Sequence, residues 1–223
     1  MLSQKLALMT TISLCISAVS ASASTITWDW GNLAGGPVGS SVYATAGTPA
    51  SGILLTDRGY DSDGTPHQLF WKIAGSDEHG IGLVGTLNNE LTLTADGSAP
   101  ANFMQIDVSP IYLTFDNAGL RIQSVTGTEA WDLWGTNTLG TLVGATQLIN
   151  GSTQANVFTA FPAWGTYAYY DLTVHPDPSH AADNVLLDAV QADSSVPEPS
   201  TATLLLVGTG LVVLSRRWTR ARP

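Results

Sequence analysis

The amino-acid sequence predicts an all-β fold, a single β-sandwich of jelly-roll-like topology, flanked by an N-terminal signal peptide and a short C-terminal transmembrane helix. Three observations carry this expectation. Between residues 24 and 191 no segment keeps a helical apolar period for three turns. Short stretches of apolar and polar alternation recur in its place, punctuated by Gly, Asn, Asp, Pro and Ser. Ten to twelve such stretches in one domain fit two packed antiparallel sheets. A parallel α/β sheet would need crossover helices, and the pattern contains none.

Residues 1–23 have the three parts of an export signal: Lys5 near the start, an apolar stretch over 6–19, and small residues ending in Ala21-Ser22-Ala23. The apolar stretch is short and broken by Thr and Ser, so it reads as the core of a peptide cut after Ala23 and not as a spanning helix. The export translocon and signal peptidase are therefore the first partners the sequence implies. The only cysteine, Cys15, follows Leu14, where lipid attachment wants a small residue. Cleavage removes it, and the folded part then has no disulfide, no Cys-ligated zinc and no thiol nucleophile.

Within the body, Leu91 and Leu93 alternate with Glu90, Thr92 and Thr94. Met104, Ile106 and Val108 alternate with Phe103, Gln105 and Asp107, and Ile111, Leu113 and Phe115 with Tyr112 and Thr114. Each stretch offers one face to a core and one to solvent. Further strands are expected over 26–30, 51–56, 69–74, 82–87, 120–125, 130–134, 157–161, 167–174 and 184–191. The Gly- and Pro-rich stretches 31–39 and 47–52 read as loops, and no internal boundary divides residues 24–191. Residues 192–200 read as a linker that contains Pro197-Glu198-Pro199.

Charge sorts the chain in the same way. The whole sequence holds 8 Lys and Arg against 18 Asp and Glu, a net of −10. Lys5 and four arginines lie at the two ends, so residues 24–195 keep only Arg58, Lys72 and Arg121 against 17 acids, a net of −14. That balance excludes nucleic acid as a partner and repels an anionic membrane surface.

At the far end, Pro197 and Pro199 hold the chain extended and keep a helix from entering from the body. The apolar run 201–214 has 14 residues. At ~1.5 Å per residue it spans ~21 Å, short of the ~30 Å hydrocarbon core. We place a transmembrane helix at 201–215 and a basic cytoplasmic tail at 216–223, with Arg216, Arg217 and Arg220 as the stop-transfer charges. A Pro-Glu-Pro element, a short apolar span and an Arg-rich end, on a chain that also carries an export signal, resemble the PEP-CTERM sorting signal of Gram-negative bacteria. The resemblance covers residues 196–223. It implies that exosortase, a membrane-embedded cysteine transpeptidase, recognises Pro197, Glu198 and Pro199 and severs the protein from its tail. It also implies an association with exopolysaccharide and biofilm.

Candidate chemistry in the body is sparse. Among His67, His79, His175 and His180, the densest titratable cluster is Asp77-Glu78-His79-Gly80, which reads as a polar turn. Asp61 and Asp63 before Gly64 place two carboxylates in one tight loop, the hard-oxygen geometry that calcium accepts, with Asp183 or Asp188 as a distant further ligand. An EF-hand would need glutamate at residue 72, which is Lys72, so a solvated acidic turn stays open beside the calcium reading. Residues 183–190 resemble the closing strand of exported bacterial jelly rolls, including galactose-binding-like modules. Along 167–174, Tyr170, Leu172 and Val174 suit the core, which turns Tyr167, Tyr169 and Asp171 outward, and Trp134 can extend this group. Aromatic rings beside a carboxylate form a sugar platform, with the rings stacked on apolar sugar faces.

The sequence thus points to an exported, non-enzymatic envelope or matrix protein, anchored transiently in the inner membrane and then moved to the cell surface or extracellular matrix. The alternative is a carbohydrate-binding module for exopolysaccharide. A third reading, a polysaccharide hydrolase or lyase, needs a carboxylate pair at controlled separation, and no catalytic spacing marks one.

Overall fold

Alternation along the chain becomes two antiparallel sheets. The computed structural model describes residues 25–30, 34–75 and 78–194, all within one compact unit that spans residues 24–195. Its strands are β1 (Thr25–Asp29), β2 (Gly36–Pro37), β3 (Val42–Ala46), β4 (Leu54–Asp61), β5 (Leu69–Ala74), β6 (Glu78–Leu83), β7 (Leu91–Thr92), β8 (Asn102–Asp107), β9 (Phe115–Gln123), β10 (Trp131–Thr136), β11 (Thr146–Ser152), β12 (Phe158–Ala160), β13 (Tyr169–Val174) and β14 (Asn184–Ser194). A single 3₁₀ turn covers Leu87–Asn89. The eight-stranded sheet runs β12-β9-β14-β6-β5-β2, with β1 and β7 also paired to β14, and the six-stranded sheet runs β11-β10-β13-β8-β4-β3. The pairings are antiparallel throughout these named strands.

One apolar cluster is built from both sheets. Met104, Ile106, Trp131, Leu133, Tyr170 and Leu172 come from the six-stranded sheet, and Trp28, Ile81, Leu120, Ile122, Leu187 and Val190 from the eight-stranded one. Each fully buried Leu, Ile or Val contributes ~1.5–3 kcal/mol relative to exposure, so this cluster is the main stabilising term. Strand β14 adapts its phase to reach it. Leu187 pairs with Ile122 and Ala189 with Arg121, a register shift that leaves Asp188 as an extra residue and lets Leu187 and Val190 both face the core.

Several expectations are corrected. Strand β14 continues to Ser194, three residues into the expected linker, because Ala192 is buried between Ile26 and Ala118. Residues 111–114 form turns and β9 begins only at Phe115: the Tyr112 amide donates to the Val108 carbonyl and the Phe115 amide to the Ile111 carbonyl. The i to i+4 spacing buries Ile111 and Phe115 while Leu113 is 84% exposed. Strand β4 runs five residues past Thr56, and β6 begins at Glu78, ahead of the expected 82. Of the edge strands β3 and β11, which lie outside the expected strands, β3 alternates exposed with half-buried residues and packs Tyr43 on the core, whereas β11 keeps no regular alternation. The segments expected as signal peptide, transmembrane helix and basic tail, and most of the expected linker, lie outside the described residues. Among the described residues no helix is long and apolar enough to cross a membrane.

Candidate functional site

The three cations of the body are all engaged on the outer faces of the sheets. Arg58 lies 3.4 Å from Asp107. Lys72 meets Glu78 at 2.9 Å and also the buried Glu90. Arg121 pairs with the buried Asp188 and lies over the Phe158 ring, 5.0 Å from its centroid. Burial raises the pKa of Glu90 and of Asp188, and the paired cation opposes that shift in each case. The Asp77-Glu78-His79 cluster is therefore not a turn throughout. Glu78 and His79 belong to β6, Glu78 holds Lys72, and the His79 amide donates to Gln123 Oε1 at 2.7 Å. Asp77 lies outside the described residues.

Asp61 and Asp63 each have a partner. Asp61 ends β4 and its Oδ1 lies 2.7 Å from His67 Nδ1. Asp63 Oδ1 accepts the Thr65 amide at 2.8 Å, closing the loop, and that bond lowers the Asp63 pKa. The second nitrogen of His67 reaches the Val84 carbonyl at 2.8 Å. The histidine thus ties the six-stranded sheet to the end of β6. Asp188, named above as a distant calcium ligand, is committed to Arg121, and among the described residues no three His, Cys, Asp or Glu side chains converge to hold a metal ion.

The aromatic group is divided by the sheet. Strand β13 begins at Tyr169, so Tyr167 escapes the strand alternation: its ring packs edge-on against Tyr170 at 6.2 Å and covers Gly135. Gly135 pairs with Tyr170, whose side chain is core, so Tyr167 closes that side of the sandwich and is no part of an outer platform. Tyr169 pairs with Thr136 and Trp134 with Asp171, which keeps Trp134, Tyr169 and Asp171 together on the outer face. The Trp134 indole N–H donates to Thr173 Oγ1 at 3.2 Å, which orients its ring.

Asp171 is the unexpected member. Facing outward, it is nonetheless fully buried. Its Oδ1 accepts from Gln105 Nε2 at 2.8 Å, and its Oδ2 has no hydrogen-bond partner. Burial pushes its pKa up to about 8, against the opposing effect of the Gln105 amide, so it carries a proton at neutral pH. Further along the same face, Asp132 accepts from Gln147 Nε2 at 3.0 Å and from the Gly151 amide at 2.7 Å, and lies 2.8 Å from His175 Nδ1. The alternation of Tyr169, Asp171 and Thr173 with core residues signalled this face in the sequence. The participation of Gln105, which is 66 positions from Asp171, had no local signal.

Comparison with known proteins bears on the other end of the chain. Residues 195–221 match the family model described as the PEP-CTERM protein-sorting motif. No curated protein and no solved structure matches the chain. The matched residues include Pro197, Glu198, Pro199, Arg216, Arg217 and Arg220, and the motif implies export and exosortase as the processing partner. The chain therefore carries, after its β-sandwich, a PEP-CTERM protein-sorting motif.

Proposed function

We propose that this is a non-enzymatic exported protein whose tail holds it briefly in the inner membrane until exosortase cuts near Pro197-Glu198-Pro199 and passes the β-sandwich to the cell surface or an exopolysaccharide matrix. The observation that carries the reading is the sorting motif at 195–221, on a chain whose first 23 residues have the export pattern. The short apolar run supports a transient anchor over a permanent one. The non-enzymatic reading is supported by the use of the outer-face acids: Asp107, Asp188 and Glu90 hold cations, and Asp132 is held by three donors. We also read the sandwich as jelly-roll-like, because its first and last strands, β1 and β14, meet in one sheet.

Replacing Glu198 with Ala tests the sorting reading. The variant is expected to accumulate uncut in the inner-membrane fraction, at a mass that includes residues 200–223. Normal processing of Glu198→Ala would sink the assignment. A second reading, a carbohydrate-binding module, is favoured by Trp134 and Tyr169 beside Asp171 on the outer face of the six-stranded sheet.

A further inference from the structure

The nine residues 137–145 join β10 to β11, neighbours in the sheet, yet they do not close a tight hairpin. They reach back across β13 and β8 to β4, three strand steps or about 14 Å. A Cβ on Gly140 would sit 3.1 Å from the Tyr60 ring of β4, and one on Gly64 would meet the Gly140 carbonyl oxygen at 2.5 Å. Only glycines allow the strap to lie this close.

The strap is held mainly by polar contacts. Gln105 clamps it with both ends of its amide: Nε2 donates to the Thr138 carbonyl at 3.2 Å, and Oε1 accepts the Gly140 amide at 3.0 Å. Asn137 Oδ1 accepts the Ala168 amide at 2.8 Å, and the Thr138 amide donates to Thr136 Oγ1 at 3.0 Å. Its large apolar side chains do not glue it down, since Leu139 is 50% and Val143 85% exposed and only Leu142 is half-buried. A segment with little buried apolar surface opens at low cost. The Gln105 that holds the strap also donates to Asp171 Oδ1, and the other oxygen of that buried carboxyl group, Oδ2, has no partner.

We infer that residues 137–145 form a lid over a binding site for a neutral sugar, in which Asp171 Oδ2 and the Gln105 amide hydrogen-bond sugar hydroxyls and the Trp134 and Tyr169 rings flank the sugar. Gln105 offers the strap one donor and one acceptor, the complement that a pair of neighbouring hydroxyls presents, so a sugar can take over those contacts as the strap lifts. Protonated Asp171 supplies a donor that has no acceptor in the closed form. The sugar is neutral because the face offers an anion no free cation: Arg58 is paired with Asp107, the strap carries no charge, and the body holds −14. This inference rests on the reading of the protein as an exported partner of exopolysaccharide, and it fails independently of the sorting test on Glu198.

The full-length protein, in a sugar-free detergent, is titrated calorimetrically with neutral hexaoses of glucose, mannose and galactose and with a hexauronate. At least one neutral series is expected to bind with Kd below about 1 mM, and the hexauronate is expected not to bind. Trp134→Ala and Asp171→Leu are expected to weaken binding at least about tenfold, whereas Asp171→Asn, which keeps the shape and a donor, stays within about threefold of the parent. Thermal melts run alongside, and if Asp171→Leu does not fold, Trp134→Ala decides. Absence of neutral-sugar binding, preference for the hexauronate, or binding unchanged by the Trp134 and Asp171 replacements overturns the inference.

Discussion

Asp57 and His67 show how single side chains make stability depend on pH. Asp57 pairs across the sheet with the core residue Ile106, is fully buried, and has no partner for either oxygen. Burial pushes its pKa well above the ordinary value, and neighbouring Arg58 offsets this only in part. A raised folded pKa means that stability is intact below the unfolded value of ~3.9 and is lost as pH rises toward the folded one. Asp57→Asn cannot ionise. It is expected to melt close to the parent at pH 4 and above it at pH 8, the gap growing by at most ~1.4 kcal/mol per pH unit. A gap independent of pH would count against this. In His67 both ring nitrogens face acceptors, the Asp61 carboxylate and the Val84 carbonyl, which requires two N–H groups and hence the imidazolium. Burial opposes the charge, but the Val84 and Asp61 bonds prevail and raise the pKa. This contribution is complete below ~6.5 and is lost as pH rises through the folded pKa. His67→Gln should therefore cost about 1 kcal/mol at pH 5, after allowance for the exposure of Asp61, and less at pH 8, as read by denaturant melts at both pH values.

At the scale of elements, the loop after β6 is fastened to the outer face of β5 through Lys72 and Glu90. Lys72→Met leaves Glu90 buried without its cation and is expected to destabilise by about 3 kcal/mol, with Lys72→Met/Glu90→Gln recovering much of it. A double-mutant cycle by chemical denaturation measures the coupling, and additive effects would refute the pairing. Gly135 in β10 is required by close approach, since a Cβ there would enter the Tyr167 ring. Gly135→Ala is expected to cost about 1–3 kcal/mol. Much of the fold at this scale was legible: 69–74 matches β5, and the core face of β13 follows its alternation. The exceptions have separate causes. The edge strand β3 alternates but only half-buries Tyr43 and Thr45, and the edge strand β11 pairs with β10 through register shifts that break its alternation, so neither carries a strong apolar period. Residues 111–115 alternate like a strand, but turns over 111–114 bury Ile111 and Phe115 at a spacing of four and leave Leu113 in solvent.

For the whole molecule, −14 on residues 24–195 with all three cations committed leaves strong self-repulsion. Raising NaCl from about 10 mM to about 150 mM shortens the screening length from ~30 Å to ~8 Å and is expected to raise the melting temperature. Asp57, Asp171 and His67 all have raised pKa values and all lose stability as pH increases. The body should therefore be most stable on the acid side of neutrality, and a melting profile from pH 4 to 9 that peaks in the alkaline half would contradict that account.

The sequence by itself determined the β class, the sorting motif at the far end and the acidity of the part that folds, because each is written in local pattern or in composition. Tertiary structure alone decided that Tyr167 covers Gly135 on the core side, that β14 continues through Ala192, and that Gln105, Asp171 and the strap 137–145 meet on one face. The physical reason is distance along the chain. Those contacts join residues tens of positions apart through strand register, and no local period encodes the register that brings them together.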